Sequence, residues 1–423
     1  MTTSIKVDAN QHLADALRFL SRVPKNEDGR ISWSSNELNQ GTFEVIYSLK
    51  FTPPIDDHIK DGAVWHALNE CARACDFSSK SFLQRIKTYL QAHFSKQPKA
   101  YLAIAQINAT FSAALPSSIP STFGPITIQA NLPKSCSKVI GRLDNYERER
   151  LGLHDDFLYA SYKVASNSDR SALDVAYRTI KYGLGVLNLA THGYGVSHRS
   201  GFPNAPIGTF LLASPIFLID TRERKLGGWQ SESHYPTQWK RHFRVWQRQN
   251  PEHIVTAAKH FQSDLARIDF KDRLIQAIIL FQEGLEATHV DTALLKFWTG
   301  IEVLCAKETR EVSERVVERA SSIFTDTRHA AMRLDFIQGF RNKIVHRGEA
   351  GDHALLCAQY GSIYLAELIR FFLWNRYKFR SRELILDFLS LPLDEEKLTR
   401  NISINRKRLA SVKRRATKAG GAS

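Results

Sequence analysis

Gly339-Phe340-Arg341-Asn342-Lys343-Ile344-Val345-His346-Arg347-Gly348 is the stretch from which the rest of the chain is read. It follows an amphipathic run over residues 332–337 and stops at a glycine suited to a helix C-terminus. The arginine, the asparagine behind it and the histidine five positions on supply a phosphate clamp, a hydrogen-bonding amide and a titratable proton carrier. Cleavage of RNA through its own 2′-hydroxyl needs those groups and no metal. Positions five apart lie about 140° apart around a helix, so Arg341 and His346 do not share a narrow face. Asn342 and His346, four apart, do. Two such helices meeting across a two-fold axis would line one cleft with both sets.

Outward from the motif, Leu294-Leu295-Lys296-Phe297-Trp298-Thr299-Gly300-Ile301-Glu302-Val303-Leu304-Cys305 reads as a helix, and residues 314–324 as another. Together with the Arg-x-x-x-x-His spacing and the asparagine after the arginine, this resembles the HEPN ribonucleases, in their ApeA-like branch. The resemblance covers residues 255–390 or so and is silent on the first 250. It implies an all-α bundle and a metal-independent endoribonuclease without a cofactor. It also implies a homodimer with a shared active site, and a place in a prokaryotic defence or toxin system. His346 would be general base or acid, Arg341 would bind the scissile phosphate, and Asn342 would position one or the other. Glu302 lies within the apolar face of Trp298, Ile301 and Cys305, where a carboxylate is costly unless paired. Arg341, Arg315 and Arg319 are its candidate partners, and a glutamate on Arg341 would hold that side chain for catalysis.

Two other classes remain open. One is a non-catalytic RNA-binding or adaptor protein with a dimerising bundle. The other is an interaction protein in which Arg341 is solvated, His346 caps carbonyls, and Phe340, Ile344 and Val345 belong to the core.

Composition narrows the field. The chain has 423 residues, 43% of them hydrophobic, enough for two or three domains with ordinary cores. A formal charge of +15 favours an acidic partner, RNA first. The first residues lack a signal-peptide pattern and no run is long enough to span a bilayer, so a soluble, cytoplasmic protein with no membrane contact is expected. Five scattered cysteines fit a reducing compartment rather than a disulfide framework. Cys71 and Cys75, near His66, lack the further ligands a zinc site needs and read as two small buried thiols. No phosphate-binding glycine loop is present.

In chain order, residues 9–23 read as an amphipathic helix, and alternation of Phe43, Val45, Tyr47, Leu49 and Phe51 reads as a strand. Helices are expected over 63–75, 81–94, 145–150 and 172–190, and strands over 101–111, 126–130 and 157–164. A strand pair or bent strand around Pro215 is expected over 210–220. Residues 235–250 interleave Trp239, Phe243 and Trp246 with Lys240, Arg241 and Arg244, either an RNA-stacking surface or a docking face with solvated cations. From 251 the chain is helical: 254–268, 273–287, 292–307, 313–324, 332–346, 353–379 and a short 382–389.

Residues 397–423 hold nine Lys and Arg and no acid, and read as a mobile basic tail. Lys407, Arg408, Arg414 and Arg415 there, with Arg347 beside the motif, are the remaining RNA-binding candidates. The expected fold class is an α+β N-terminal region followed by an all-α HEPN-type helical bundle. The expected units are 1–250, with a candidate sub-boundary near 115–121, then 251–390, then the tail from 391.

Overall fold

The computed structural model describes residues 5–27, 30–33, 35–107, 118–121, 124–129, 132, 134–144, 151, 153, 157–191, 207–208, 210–230, 251–308, 311, 313–348 and 353–420. The chain begins with β1 (Lys6–Ala9), α1 (Leu13–Leu20), β2 (Lys25–Glu27), β3 (Arg30–Ser32), α2 (Ser35–Tyr47), β4 (Leu49–Thr52), α3 (Asp57–Ala74) and α4 (Ser79–Ser95). Leu13, Leu17 and Leu20 recur at helical spacing and bury one face of α1 against Val45, Val64, Leu68, Phe82 and Leu90. This core is separate from the two clusters that serve the rest of the described residues.

One expectation fails here. Residues 43–47 belong to helix α2, and only Leu49–Thr52 is a strand, paired antiparallel with β1. Phe43 and Tyr47 are 69% and 81% exposed, one turn apart on the outer face, with ring centroids 6.2 Å apart. Val45 faces the core. Positions i, i+2 and i+4 alternate in a strand, but on a helix i and i+4 share a face that i+2 does not. A short apolar alternation fits both.

The second layer is a six-stranded antiparallel sheet of β5 (Lys99–Ile107), β6 (Ser118–Ser121), β7 (Gly124–Gln129), β8 (Leu158–Ser166), β9 (Ile216–Asp220) and β10 (Lys225–Gln230), in the order β10-β9-β5-β8-β7-β6. Its spine is β5 against β8, in register from Lys99 opposite Ser166 to Ile107 opposite Leu158. Both faces of β5 are covered, so it reads as a nearly continuous apolar run. Leu102 and Ile104 pack with Cys136 and Val139 of α5 (Lys134–Ile140). Tyr101, Ala103 and Ala105 pack on the other side, where α6 (Asp169–Thr191) lies. Strand β9 starts directly after Pro215, where a residue without an N–H ends the irregular approach.

The third layer is helical: α7 (Pro251–Leu265), α8 (Lys271–Glu286), α9 (Val290–Cys305), α10 (Ser313–Ser321), α11 (Thr327–Arg347), α12 (Ala354–Trp374), α13 (Arg382–Leu389) and α14 (Glu395–Gly420). An α+β N-terminal part thus precedes a helical C-terminal part. Apolar burial nonetheless runs unbroken from the sheet through α6 into the bundle. A Cβ on Gly185 of α6 would meet the Ile278 carbonyl oxygen of α8 at 2.8 Å, so only glycine lets these helices approach so closely. The buried Lys181 of α6 is ion-paired with Glu286 of α8, which also accepts from the Leu212 N–H at 2.9 Å and from Gln282 Nε2 at 2.7 Å. The N-terminal elements β1 to α4 meet this body through polar groups. His58 of α3 faces Ser171 Oγ at 2.6 Å and Asp174 Oδ2 at 3.3 Å on the first turns of α6, and Asn167 Nδ2 donates to the His93 carbonyl at 3.3 Å.

The segment expected to be a mobile tail is helix α14 over residues 395–420. Asp394 caps it by accepting from the Lys397 N–H at 2.8 Å, and Glu395 and Glu396 sit in the first turn, where carboxylates favour the helix dipole. No described helix is long and apolar enough to cross a membrane.

Candidate active site

Helix α11 carries the motif. Asp326 caps its start, accepting from the His329 N–H at 3.0 Å. Ala330, Leu334 and Ile337 bury its inner face, and Phe340 and Ile344 continue that contact. Gly348 ends it with φ of 73°, its N–H on the Ile344 carbonyl at 2.9 Å. That left-handed turn suits glycine, as the sequence leads one to expect. The last turn before it holds His346 and Arg347, both exposed.

The structure brings Arg341, Asn342 and Glu302 together. Arg341 Nη1 donates to Asn342 Oδ1 at 3.0 Å, and Nη2 lies 3.9 Å from Glu302 Oε1. Both ion-pair partners are 30% exposed, so Glu302 sits at the rim of the bundle rather than in the core. Its Oε1 also accepts from the Nε1–H of the buried Trp298, one turn back on α9, at 2.7 Å. Of the three arginines considered for Glu302, Arg341 is therefore the partner, because Arg319 is engaged by Glu311 and Arg315 by Glu318. His346 stands apart from this group, one helical turn beyond Asn342 and open to solvent.

Sequence reasoning missed what fixes the end of α9. Arg319 donates to the Cys305 carbonyl at 2.8 Å while its fork holds Glu311 through two bonds of 2.7 Å. Buried Arg382 donates to the carbonyls of Leu304, at 3.2 Å, Val303, at 3.1 Å, and Ala306. Two guanidinium groups thus satisfy the last carbonyls of α9 and complement its dipole, one turn from Glu302. Arg382 reaches this end from 76 to 79 positions away, so no spacing announces its contact. The Arg319 fork holds the Glu311 carboxyl down at about 2, and burial pushes the Cys305 thiol up to about 12.

Also missed was a groove of about 590 Å³ on α11, lined by Met332, Asp335, Phe336, Gly339, Phe340 and Lys343 among others. Phe336 is 60% exposed, and Lys343 Nζ lies 4.9 Å from the Phe340 ring centroid. Lys343, the last residue of the lining, and His346, three apart, lie on one side of the helix.

The other sequence candidates fall elsewhere. Lys407 and Arg408 lie exposed on α14, and Arg414 and Arg415 fall within the same helix. Lys240, Arg241 and Arg244, with Trp239, Phe243 and Trp246, lie outside the described residues. Cys71 is buried in the N-terminal core with Arg85 Nη1 on its sulfur at 2.7 Å, and Cys75 is exposed at the end of α3. Among the described residues, no group of three or more His, Cys, Asp or Glu is placed to hold a metal ion. Comparison with protein-family models, with curated proteins and with solved structures gives no match.

Proposed function

We propose that the chain is a metal-independent endoribonuclease of HEPN type, acting as a homodimer through Arg341, Asn342 and His346. The observation that carries this reading is the end of α11. An arginine is held there by a carboxylate and an amide, and a histidine one turn on is open to solvent. In such an enzyme the substrate's 2′-hydroxyl attacks the adjacent phosphorus, and the 5′-oxygen of the next nucleotide leaves. Histidine, whose unperturbed pKa lies near neutrality, takes the hydroxyl proton or returns one to the leaving oxygen. Arginine stays charged and offers a planar fork to the phosphoryl oxygens as negative charge grows on them. The products are a 2′,3′-cyclic phosphate and a free 5′-hydroxyl. DNA, lacking the nucleophile, is not a substrate.

A second copy supports the chemistry. Arg341 and His346 leave one helix about 140° apart, so a single chain aims them poorly at one phosphate. Val345, 53% exposed between them in sequence, is the kind of residue a two-fold contact covers. The resemblance on which the proposal also draws points to defence or toxin systems in prokaryotes.

Incubating the protein with total RNA, with and without a chelator, tests the proposal. New fragments are expected in both samples, and His346→Ala should lower their rate by about a hundred- to ten-thousand-fold. Fragments that vanish with chelator and return with magnesium or zinc would overturn the mechanism. RNA that binds but stays whole would make the protein an adaptor instead.

A further inference from the structure

Along α14, Leu398, Ile402, Asn405, Leu409 and Val412 recur at steps of four, three, four and three. At about 100° per residue all five fall within an arc of about 80°. From Ile402 onward the stripe is uncovered, Ile402 being 51%, Leu409 56% and Val412 50% exposed, while Leu398 at its start is half-buried. Cations edge it on both sides. Arg406 projects from one flank, and Arg408 and Lys397 from the other, each about 80–100° from Leu398 around the axis. No acidic residue follows Glu396 in the chain.

The width and content of this stripe select its occupant. A helix lying in a lipid surface needs a broader apolar face, commonly with aromatic residues sunk into it. Here the arc is narrow, holds no aromatic residue, and has an asparagine in its middle. A seam of that width at a seven-residue repeat is what a partner helix fills, and one buried asparagine is a known device for fixing register. RNA would neutralise the cations and leave the apolar seam in water. A second copy of α14 would set cation against cation along both flanks in either direction, because the helix beyond its first turn has no acid to offer.

We infer that α14 is a docking helix for an acidic amphipathic helix of another protein, with heptad-spaced apolar residues on its seam and Glu or Asp on its flanks. The pair is a heterotypic coiled coil in which the partner's carboxylates face Arg406 on one flank and Lys397 and Arg408 on the other. It is independent of the ribonuclease reading.

The test uses the full chain and a synthetic three-heptad peptide with Leu or Ile on its seam, one Asn and Glu on both flanks. A scrambled peptide of the same composition, single-stranded RNA and phosphatidylserine vesicles are run beside it. The heptad peptide should bind at least about tenfold more tightly than the scrambled one. Ile402→Asp with Leu409→Asp should remove that difference and leave the melting temperature unchanged, because both side chains are exposed. Arg406→Glu with Arg408→Glu should weaken the acidic peptide about tenfold and admit one with Lys flanks. Equal binding of the two peptides would overturn the inference. So would RNA or vesicle binding that depends on Ile402 and Leu409, or a wild-type dimer that the aspartate variant turns into monomer.

Discussion

Arg341 is held from two sides, by the Glu302 carboxylate at 3.9 Å and by the Asn342 amide oxygen at 3.0 Å. Glu302 is in turn oriented by the Trp298 indole. Replacing Glu302 by Gln keeps an acceptor for the indole and removes the charge that faces the guanidinium. The ion pair is partly open to water, so stability should change by less than about 1 kcal/mol. Positioning is another matter, since a small misplacement of a catalytic group costs about ten- to a hundredfold in rate. Cleavage by Glu302→Gln should fall by that factor at an unchanged melting temperature. A rate equal to wild type would show that Glu302 has no hold on the chemistry. The residues of this cluster were legible in sequence, because the motif and a carboxylate within an apolar face both stand out. Which arginine met Glu302 was not, since three were within reach of the pattern and only packing separates them.

At the scale of elements, the end of α11 was legible to the residue: Gly348 is where a left-handed turn is needed, and it is there. Helix α2 was not, because Phe43, Val45 and Tyr47 satisfy two periodicities at once. Nor was α14, where a run of cations hid a capped helix with an apolar seam. The anchoring of α9 has a consequence in pH. Glu311, held down at about 2 by the Arg319 fork against an ordinary 4.5, contributes stability that is complete above about pH 4.5. That contribution is lost as pH falls through about 2, since the protonated carboxyl no longer attracts the guanidinium. The stability difference between wild type and Glu311→Gln should therefore be constant above about pH 4.5 and shrink below it. Melting temperatures of the two proteins from pH 7 downward measure this. A difference that persists undiminished at pH 3 would contradict it.

Among the described residues the molecule is organised by three hydrophobic clusters, one in the N-terminal elements, one on the outer face of the sheet and one shared by sheet and bundle. The sequence turns wholly helical from residue 251, and across that point the buried Lys181–Glu286 pair and the close pass at Gly185 tie the sheet to the bundle. A periodicity read within one segment carries no information about contacts between residues a hundred positions apart. Assembly belongs to this scale as well. If two copies share a cleft, mixing wild-type chains with an excess of His346→Ala chains should depress activity beyond dilution, because most wild-type chains then sit in mixed dimers. Activity that falls only in proportion to dilution would place a complete site in one chain.

The central claim is that the substrate's own 2′-hydroxyl is the nucleophile and that the end of α11 manages its proton and phosphate. One measurement addresses it directly. After mapping a cleavage position in a short RNA, the same RNA is made with a single 2′-deoxy nucleotide on the 5′ side of that bond, and the two are compared at equal enzyme. The account predicts cleavage of the all-ribose strand to a 2′,3′-cyclic phosphate and no cleavage of that bond in the deoxy strand. Scission of the deoxy strand at the same bond would contradict it.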